Sequence, residues 1–162
     1  MTGAVKRIWP VLAVVVLAGC GIQPSAVTGA GEAPTGVAAG PTLYFVGPDG
    51  GLRPDQRRTG GLGTVPEAMS LLLTGPGEAS GLRTEIAPVS MTRVGVAYGR
   101  GVIRLHVPLT ADDVTALGTD QLVCTALGVH VQSGGSQSTK VQVRFTQPAP
   151  DSDRRRSCPL ME

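Results

Sequence analysis

Four residues near the start of the chain constrain its folding most, because they mark the end of an export signal: Leu17, Ala18, Gly19 and Cys20. Two basic residues and the apolar run 8–17 precede them. This run is too short to span a hydrocarbon core of about 30 Å, but its length is typical of the apolar region of a signal peptide. We therefore expect lipoprotein signal peptidase to remove residues 1–19, so that the rest of the chain folds outside the cytoplasm.

Cys20 is the predicted site of lipid attachment. Cleavage before Cys20 leaves its amine and its thiol available for fatty acyl groups, such as palmitate, and for diacylglycerol. One acyl chain binds a membrane only reversibly, whereas two or more chains anchor a protein stably. The sequence predicts a lipoprotein on the extracytoplasmic face of the cell membrane. An ordinary secreted protein that happens to have a cysteine at its cleavage site is the alternative.

The chain divides by composition into four parts. The signal peptide (1–19) is followed by residues 20–40, which carry the lipidated cysteine and then mainly small residues and proline, a composition typical of a flexible tether. A coil of this length has a root-mean-square span of roughly 25 Å. Residues 41–147 are predicted to form one domain. Residues 148–162 are predicted to be a solvated tail unless Cys158 holds them to the domain.

Net charge argues against a nucleic-acid partner. Two of the 14 basic residues leave with the signal peptide, so the mature chain balances its 12 acidic residues. A neutral chain lacks the long-range attraction that nucleic acids require. The few remaining aromatic residues lie in strand-like runs and are expected in the core rather than on a stacking surface: Tyr44, Phe45, Tyr98 and Phe145.

Cys124 and Cys158 are the cysteines that remain after lipidation of Cys20. Because an exported protein folds under oxidising conditions, a disulfide between them is expected, and it would join a predicted helix to the tail. A buried free thiol at Cys124 with an exposed one at Cys158 is the alternative. A catalytic thiol is disfavoured, since neither cysteine has a histidine partner in a recognisable motif.

Hydrophobic periodicity predicts an α+β fold in the order strand, helix, short strand, hairpin, helix, strand, with the helices packed on one face of a small mixed or antiparallel sheet. A capping box formed by Thr64 and Glu67 starts the first helix. Gly118 and Thr119 are expected to interrupt the second helical region, 112–131. The polar segment 52–63 is interpreted as a surface connection. The predicted strands are 42–46, 84–87, the two arms of a hairpin within 91–107, and 140–145.

Candidate catalytic residues are scarce. His106 and His130 do not have the spacing of zinc ligands, so they are interpreted as surface or hydrogen-bonded histidines. Asp112 and Asp113 could act as paired carboxylates, but at a helix start such residues more often complement the helix dipole. No nucleophile elbow is present. The sequence predicts no enzyme, no metal and no cofactor.

Several segments in order resemble the GerMN domain, which is named from a spore-germination lipoprotein and also occurs in actinobacterial envelope lipoproteins. The resemblance covers about residues 42–146 and includes LYF from Leu43, Arg57, AMSLLLTGP from Ala68 and LRTEIAP from Leu82. It continues through VGVAYGRGVIRLHV, QLVCTAL and KVQVRF. The resemblance implies a compact α/β module related to ring-building motifs of secretion and sporulation complexes, acting through protein contacts.

The leading functional hypothesis is therefore a lipid-anchored, non-enzymatic module whose sheet edge or helix face binds another envelope protein. By analogy with actinobacterial lipoproteins, that partner could be the extracellular domain of a sensor kinase, or part of the sporulation or cell-wall machinery. Two alternatives stay open: a cell-wall-modifying enzyme, and a small-ligand-binding lipoprotein.

Overall fold

The structure is a computed structural model that describes residues 40–161. The predicted export signal, Cys20 and the predicted tether up to residue 39 lie outside the described residues. Within the described range, no helix has the length and apolar character needed to cross a membrane. Short 3-10 turns lie at Glu78–Ser80 and Ala111–Asp113. The strands and helices are β1 Thr42–Val46, β2 Leu52–Gln56, α1 Val65–Leu73, β3 Gly95–Gly99, β4 Val102–His106, α2 Ala116–Gln132, β5 Lys140–Arg144 and β6 Arg155–Arg156.

The strands form two sheets. β1 and β2 make an antiparallel pair, and the other four strands form a sheet in the order β3-β4-β5-β6. Only β4 and β5 are parallel in this sheet, and α2 is the crossover between them. Parallel neighbours need such a crossover, whereas β3 and β4 join through the tight turn at Arg100 and Gly101. The fold is a small α+β domain with two helices packed against mixed and antiparallel sheets.

α2 lies at the centre of the core. It contacts β1, β5 and α1, and so joins the two sheets into one hydrophobic cluster. Its predicted apolar residues Leu122, Val123, Ala126 and Leu127 are all buried. The largest side chains buried around it are Leu43, Phe45, Met69, Leu72, Ile103, Leu105 and Leu109.

Both helices begin at a threonine cap. The predicted capping box of α1 is confirmed: Thr64 N–H donates to Glu67 Oε2 at 2.7 Å, and the Thr64 side chain accepts from Glu67 N–H. The predicted break in the second helix is wrong, because α2 runs uninterrupted from its cap at Thr115. Glycine is required at position 118 of the helix, because a Cβ there would lie 2.3 Å from the Glu85 carbonyl oxygen.

Two predicted elements differ from the structure. The interpretation of 52–63 as a connection is wrong at its start, where residues 52–56 form β2; this polar segment is a strand because it pairs with β1. The predicted strand at 84–87 is also wrong: only isolated bridges form there, between Val46 and Arg83 and between Ile86 and Val114.

The C-terminal segment is attached to the domain. Cys124 and Cys158 form a disulfide, with their Cα atoms 4.7 Å apart. Three residues before Cys158, β6 pairs with the outer edge of β5. The disulfide that the sequence predicts is present, and it holds the C-terminal segment beside β5.

Candidate functional site

Each strand at the side of a sheet has an edge whose backbone groups need partners, and the two sheets meet this need differently. On β1, the backbone N–H and carbonyl groups of the odd-numbered residues point toward β2. The hydrogen bond from Arg57 N–H to the Pro41 carbonyl, at 3.0 Å, establishes this alternation. The even-numbered residues Thr42, Tyr44 and Val46 therefore direct their backbone groups away from β2. Pro54 lies opposite Tyr44, where no N–H is needed.

The outward edge of β1 is closed by polar side chains of α2. Thr125 Oγ1 accepts from Tyr44 N–H at 3.0 Å, and Gln121 Nε2 donates to the Tyr44 carbonyl at 3.0 Å. Gln121 Oε1 also accepts from Glu85 N–H at 2.8 Å. Both helix residues are fully buried. A buried amide with partners on both of its ends is satisfied, so this polar pair closes the edge inside the core.

The rest of this edge is also bonded. Val46 exchanges two backbone hydrogen bonds with Arg83, at 2.8 and 2.9 Å. Thr42 N–H donates to Gln132 Oε1 at 3.3 Å on the exposed end of α2. Gln121, Thr125 and Gln132 are polar residues spaced four and seven apart in a mainly apolar helix, and this spacing was the sequence signal for the closure.

The outward edge of β3 is arranged differently. The residues that flank β4, Gly101 and Val107, bond to β5. Lys140 N–H donates to the Gly101 carbonyl at 3.0 Å, and Val107 N–H donates to the Arg144 carbonyl at 2.9 Å. The backbone N–H and carbonyl groups of the odd-numbered residues therefore point toward β5, and those of the even-numbered residues of β4 point toward β3. Their partners in the register are Gly95, Ala97 and Gly99.

Hydrogen-bonded pairs alternate along an antiparallel ladder, so the backbone groups of Val96 and Tyr98 face away from the sheet. Within the described residues, no hydrogen bond connects them to another segment. Val96 is half-buried, and most of the strand is exposed. β3 is therefore an open edge.

Tyr98 is the prominent side chain of this open edge. The prediction that it belongs to the core is wrong, because 61% of it is exposed. The alternation of the hairpin places it on the side of Ile103, where its ring centroid lies 6.5 Å from that of His130. An exposed aromatic ring beside free backbone groups is typical of a protein-contact surface.

Three arginines surround the open edge: Arg93 and Arg100 at the two ends of β3, and Arg104 on β4. None of them takes part in an ion pair among the described residues. The sequence has no acidic residue between Glu85 and Asp112. The β3 edge is therefore a positively charged region on a chain whose overall charge is small.

Two glycines of β3 leave room for side chains of β4. A Cβ at Gly99 would lie 3.1 Å from Arg104 Nη1, and one at Gly95 would lie 3.3 Å from His106 Cβ. Because glycine leaves room on this face of β3, the Arg104 guanidinium lies over Gly99, on the strand that forms the open edge. A glycine within a strand often marks such a close approach.

A groove lies between α1 and the loop 59–63. Its volume is about 630 Å³, and Pro41, Leu71 and Thr92 contribute to its lining. Glu67 is the charged residue of the lining, and its carboxylate is engaged by Thr64 in the helix cap. The groove is therefore mainly apolar, and the one charged side chain of its lining is engaged in the helix cap.

Several titratable side chains away from the β3 edge have structural partners. Hydrogen bonds from Thr110 lower the pKa of Asp113. Asp112 and Asp113 lie on the short 3-10 turn before α2 rather than in the first turn of α2, so the interpretation that they complement the dipole of the second helix is not confirmed. Burial raises the pKa of Asp120, and the nearby Arg156 opposes that shift. His106 is exposed, and His130 Nε2 lies 3.2 Å from Thr139 Oγ1. Within residues 40–161, no cluster of His, Cys, Asp or Glu side chains could hold a metal ion.

Comparisons with known proteins identify no relative: no family model, no curated protein and no solved structure matches the chain.

Proposed function

We propose that the chain is a lipid-anchored envelope lipoprotein whose GerMN-like domain binds another envelope protein and catalyses no reaction. The observation that supports this proposal best is the open edge of β3. The domain closes one edge of β1 with fully buried polar side chains, yet the outward groups of Val96 and Tyr98 on β3 have no partner among residues 40–161. Exposed edges are usually protected, and an edge left open beside an aromatic ring suits protein binding.

The N-terminal segment supports the location of this activity. Lipid attached at Cys20 would keep the domain near the membrane, and the tether would give it a reach of roughly 25 Å. The disulfide between Cys124 and Cys158 is consistent with folding in an oxidising compartment. Candidate partners are the extracellular domain of a sensor kinase and proteins of the sporulation or cell-wall machinery.

Site-specific cross-linking in intact cells tests this proposal. A photoreactive amino acid replaces Ala97, which is exposed on β3, and in a matched control it replaces the exposed Asp112 on the 3-10 turn before α2. We expect one envelope protein to be captured from position 97, less from position 112, and none when Cys20→Ala prevents anchoring. Capture of wall fragments alone, or equal capture from both positions, would contradict the proposal.

The groove beside α1 favours a second candidate function, the binding of a small neutral ligand. Its apolar lining and volume of about 630 Å³ are within the usual range for such sites. Titration with a small neutral alcohol, followed by NMR, tests this function, and a parallel titration with solubilised peptidoglycan fragments tests the enzyme alternative. Shifts confined to the amides of Gly61 and Thr92 would support ligand binding, and appearance of a reaction product would support an enzyme.

A further inference from the structure

We propose that the β3 edge binds its partner by strand addition, and that the added strand is an extended segment in which acidic and apolar residues alternate. This inference rests on the proposed function and specifies the chemistry of the partner. In strand addition, backbone hydrogen bonds provide affinity, while side chains on the two faces of the new strand provide specificity.

The backbone of β3 is prepared for an additional strand. Val96 and Tyr98 each present one N–H and one carbonyl on the open side, which gives four hydrogen-bonding groups at a spacing that an extended peptide matches. The strands β3 and β4 are already paired over five residues each. A peptide can therefore continue the sheet without opening any existing bond.

The two faces of β3 differ in chemistry, which sets the pattern of the partner. Gly95, Ala97 and Gly99 lie on the face of β3 where the Arg104 guanidinium covers Gly99. Tyr98 lies on the other face, near His130. Successive side chains of an added strand point to opposite faces, so one set meets Arg104 and the other meets the Tyr98 ring. Carboxylates suit the first set and apolar side chains suit the second.

Charge argues against a second copy of this chain as the occupant. Val96 and Tyr98 lie midway between Arg93 and Arg100, so an antiparallel pairing of two β3 strands would place Arg93 of one copy near Arg100 of the other. Like charges that face each other across strands are destabilising. The same arginines attract a strand that carries carboxylates, because none of them is neutralised by an ion pair within the described residues.

Binding of synthetic peptides to the full chain in detergent micelles tests the proposal. The probes are two peptides of about eight residues, one alternating Glu with Val and one alternating Lys with Val. We expect the Glu–Val peptide to bind at least about tenfold more tightly at low salt, and its affinity to fall as salt rises. On binding, the amides of Val96 and Tyr98 should become protected from hydrogen exchange. Equal affinities for the two peptides, or protection elsewhere only, would overturn the inference.

Two variants separate the backbone contribution from the charge contribution. Val96→Pro removes an outward N–H and should reduce binding of the Glu–Val peptide about tenfold or more, without breaking the ladder to β4. Arg93→Glu with Arg100→Glu should invert the preference toward the Lys–Val peptide. The matched control is Arg58→Glu with Arg155→Glu, which makes the same change in net charge at exposed positions away from β3 and should preserve the preference.

The alternative occupant of a basic surface near a membrane is anionic lipid. Vesicles of phosphatidylglycerol provide that comparison, with phosphatidylcholine vesicles as control. Lipid binding that depends on Arg93 and Arg100 but not on Val96→Pro, without binding of the Glu–Val peptide, would overturn strand addition. If cross-linking from position 97 captures a protein while the peptides fail, the proposed function stands and only the partner chemistry is wrong.

Discussion

The outward edges of β1 and β3 pose the same physical problem, and the domain treats them in opposite ways. On β1, helix α2 supplies Gln121 and Thr125, both fully buried, to bond the backbone of Tyr44. On β3, the backbone groups of Val96 and Tyr98 have no such partners among the described residues. The contrast indicates that the fold closes the outward edge of β1 inside the core and leaves the outward edge of β3 accessible to a partner.

A third edge, on the far side of β5, is intermediate between these two. It is covered by β6, only two residues long, and the disulfide between Cys124 and Cys158 holds the segment nearby. The closure thus combines strand pairing and hydrogen bonds of the buried Gln142 side chain with a covalent bond. Variants at these three edges should therefore differ in how much they destabilise the domain.

Removing the disulfide should have the largest effect. Replacing both Cys124 and Cys158 by Ala frees a loop of 34 residues, and chain entropy predicts a loss of about 4 kcal/mol in the free energy of unfolding. Urea denaturation of the variant and of the unmodified chain measures this difference. The unmodified chain in reducing agent is the control and should behave like the variant. An unchanged urea midpoint would mean that β6 closes the β5 edge without the bridge.

Opening the closed edge of β1 should have the next largest effect. Gln121→Leu keeps the side-chain volume but leaves the Tyr44 carbonyl and Glu85 N–H without partners, which should cost about 3 kcal/mol. Gln132→Leu is the matched control, because it removes a bond to Thr42 at the exposed end of the same edge. It should change the free energy of unfolding by less than about 0.5 kcal/mol. Equal effects would contradict the distinction between a buried closure and a surface bond.

Proline substitutions compare the two sides of β3 directly. Ala97→Pro removes an N–H that bonds to β4, whereas Val96→Pro removes one that faces solvent. We expect the free energies of unfolding of these neighbouring variants to differ by about 2 kcal/mol, with Ala97→Pro the less stable. Thermal denaturation of both variants checks the assignment. If Val96→Pro were the less stable variant, this would indicate that Val96 N–H bonds to β4 and Ala97 N–H faces solvent, the reverse of the arrangement described.

The smallest effect concerns pH, and it arises outside the edges. Hydrogen bonds from Thr64 and Thr110 hold the pKa values of Glu67 and Asp113 below their usual 4.5 and 3.8. A depressed pKa in the folded state adds stability that is complete above the usual value and is lost as the pH falls through the folded value. Glu67→Gln with Asp113→Asn should flatten the fall in urea midpoint between neutral and acidic pH. An unaltered fall would place the acid sensitivity elsewhere, such as at Asp49.

The sequence predicted correctly the elements that depend on interactions between residues close together in the chain. The capping box of α1 and the strand β1 are examples, since Thr64, Glu67 and the apolar run 42–46 act over a few residues. β2 could not be predicted in this way, because its polar residues become a strand only through pairing with β1. Gly118 was misjudged for the same reason: its close neighbour, the Glu85 carbonyl, is distant in sequence.

The candidate site was predictable only in part. Alternation within 91–107 predicts the hairpin and its two faces, but it does not indicate that β3 ends the sheet. Tyr98 was therefore assigned to the core, although it lies exposed on the open edge. The closure of β1 had a signal, the polar residues Gln121 and Thr125 in an apolar helix. Their targets on β1 could be identified only from the structure.

Residue-resolved amide hydrogen exchange of the free chain tests the contrast between the two edges most directly. The account predicts that Tyr44 N–H, bonded to Thr125 in the core, exchanges at least about a hundredfold more slowly than the N–H groups of Val96 and Tyr98. Ala97 N–H should be protected, because it faces β4. Protection of Val96 and Tyr98 equal to that of Tyr44 would mean that the β3 edge is already covered, and would contradict the account.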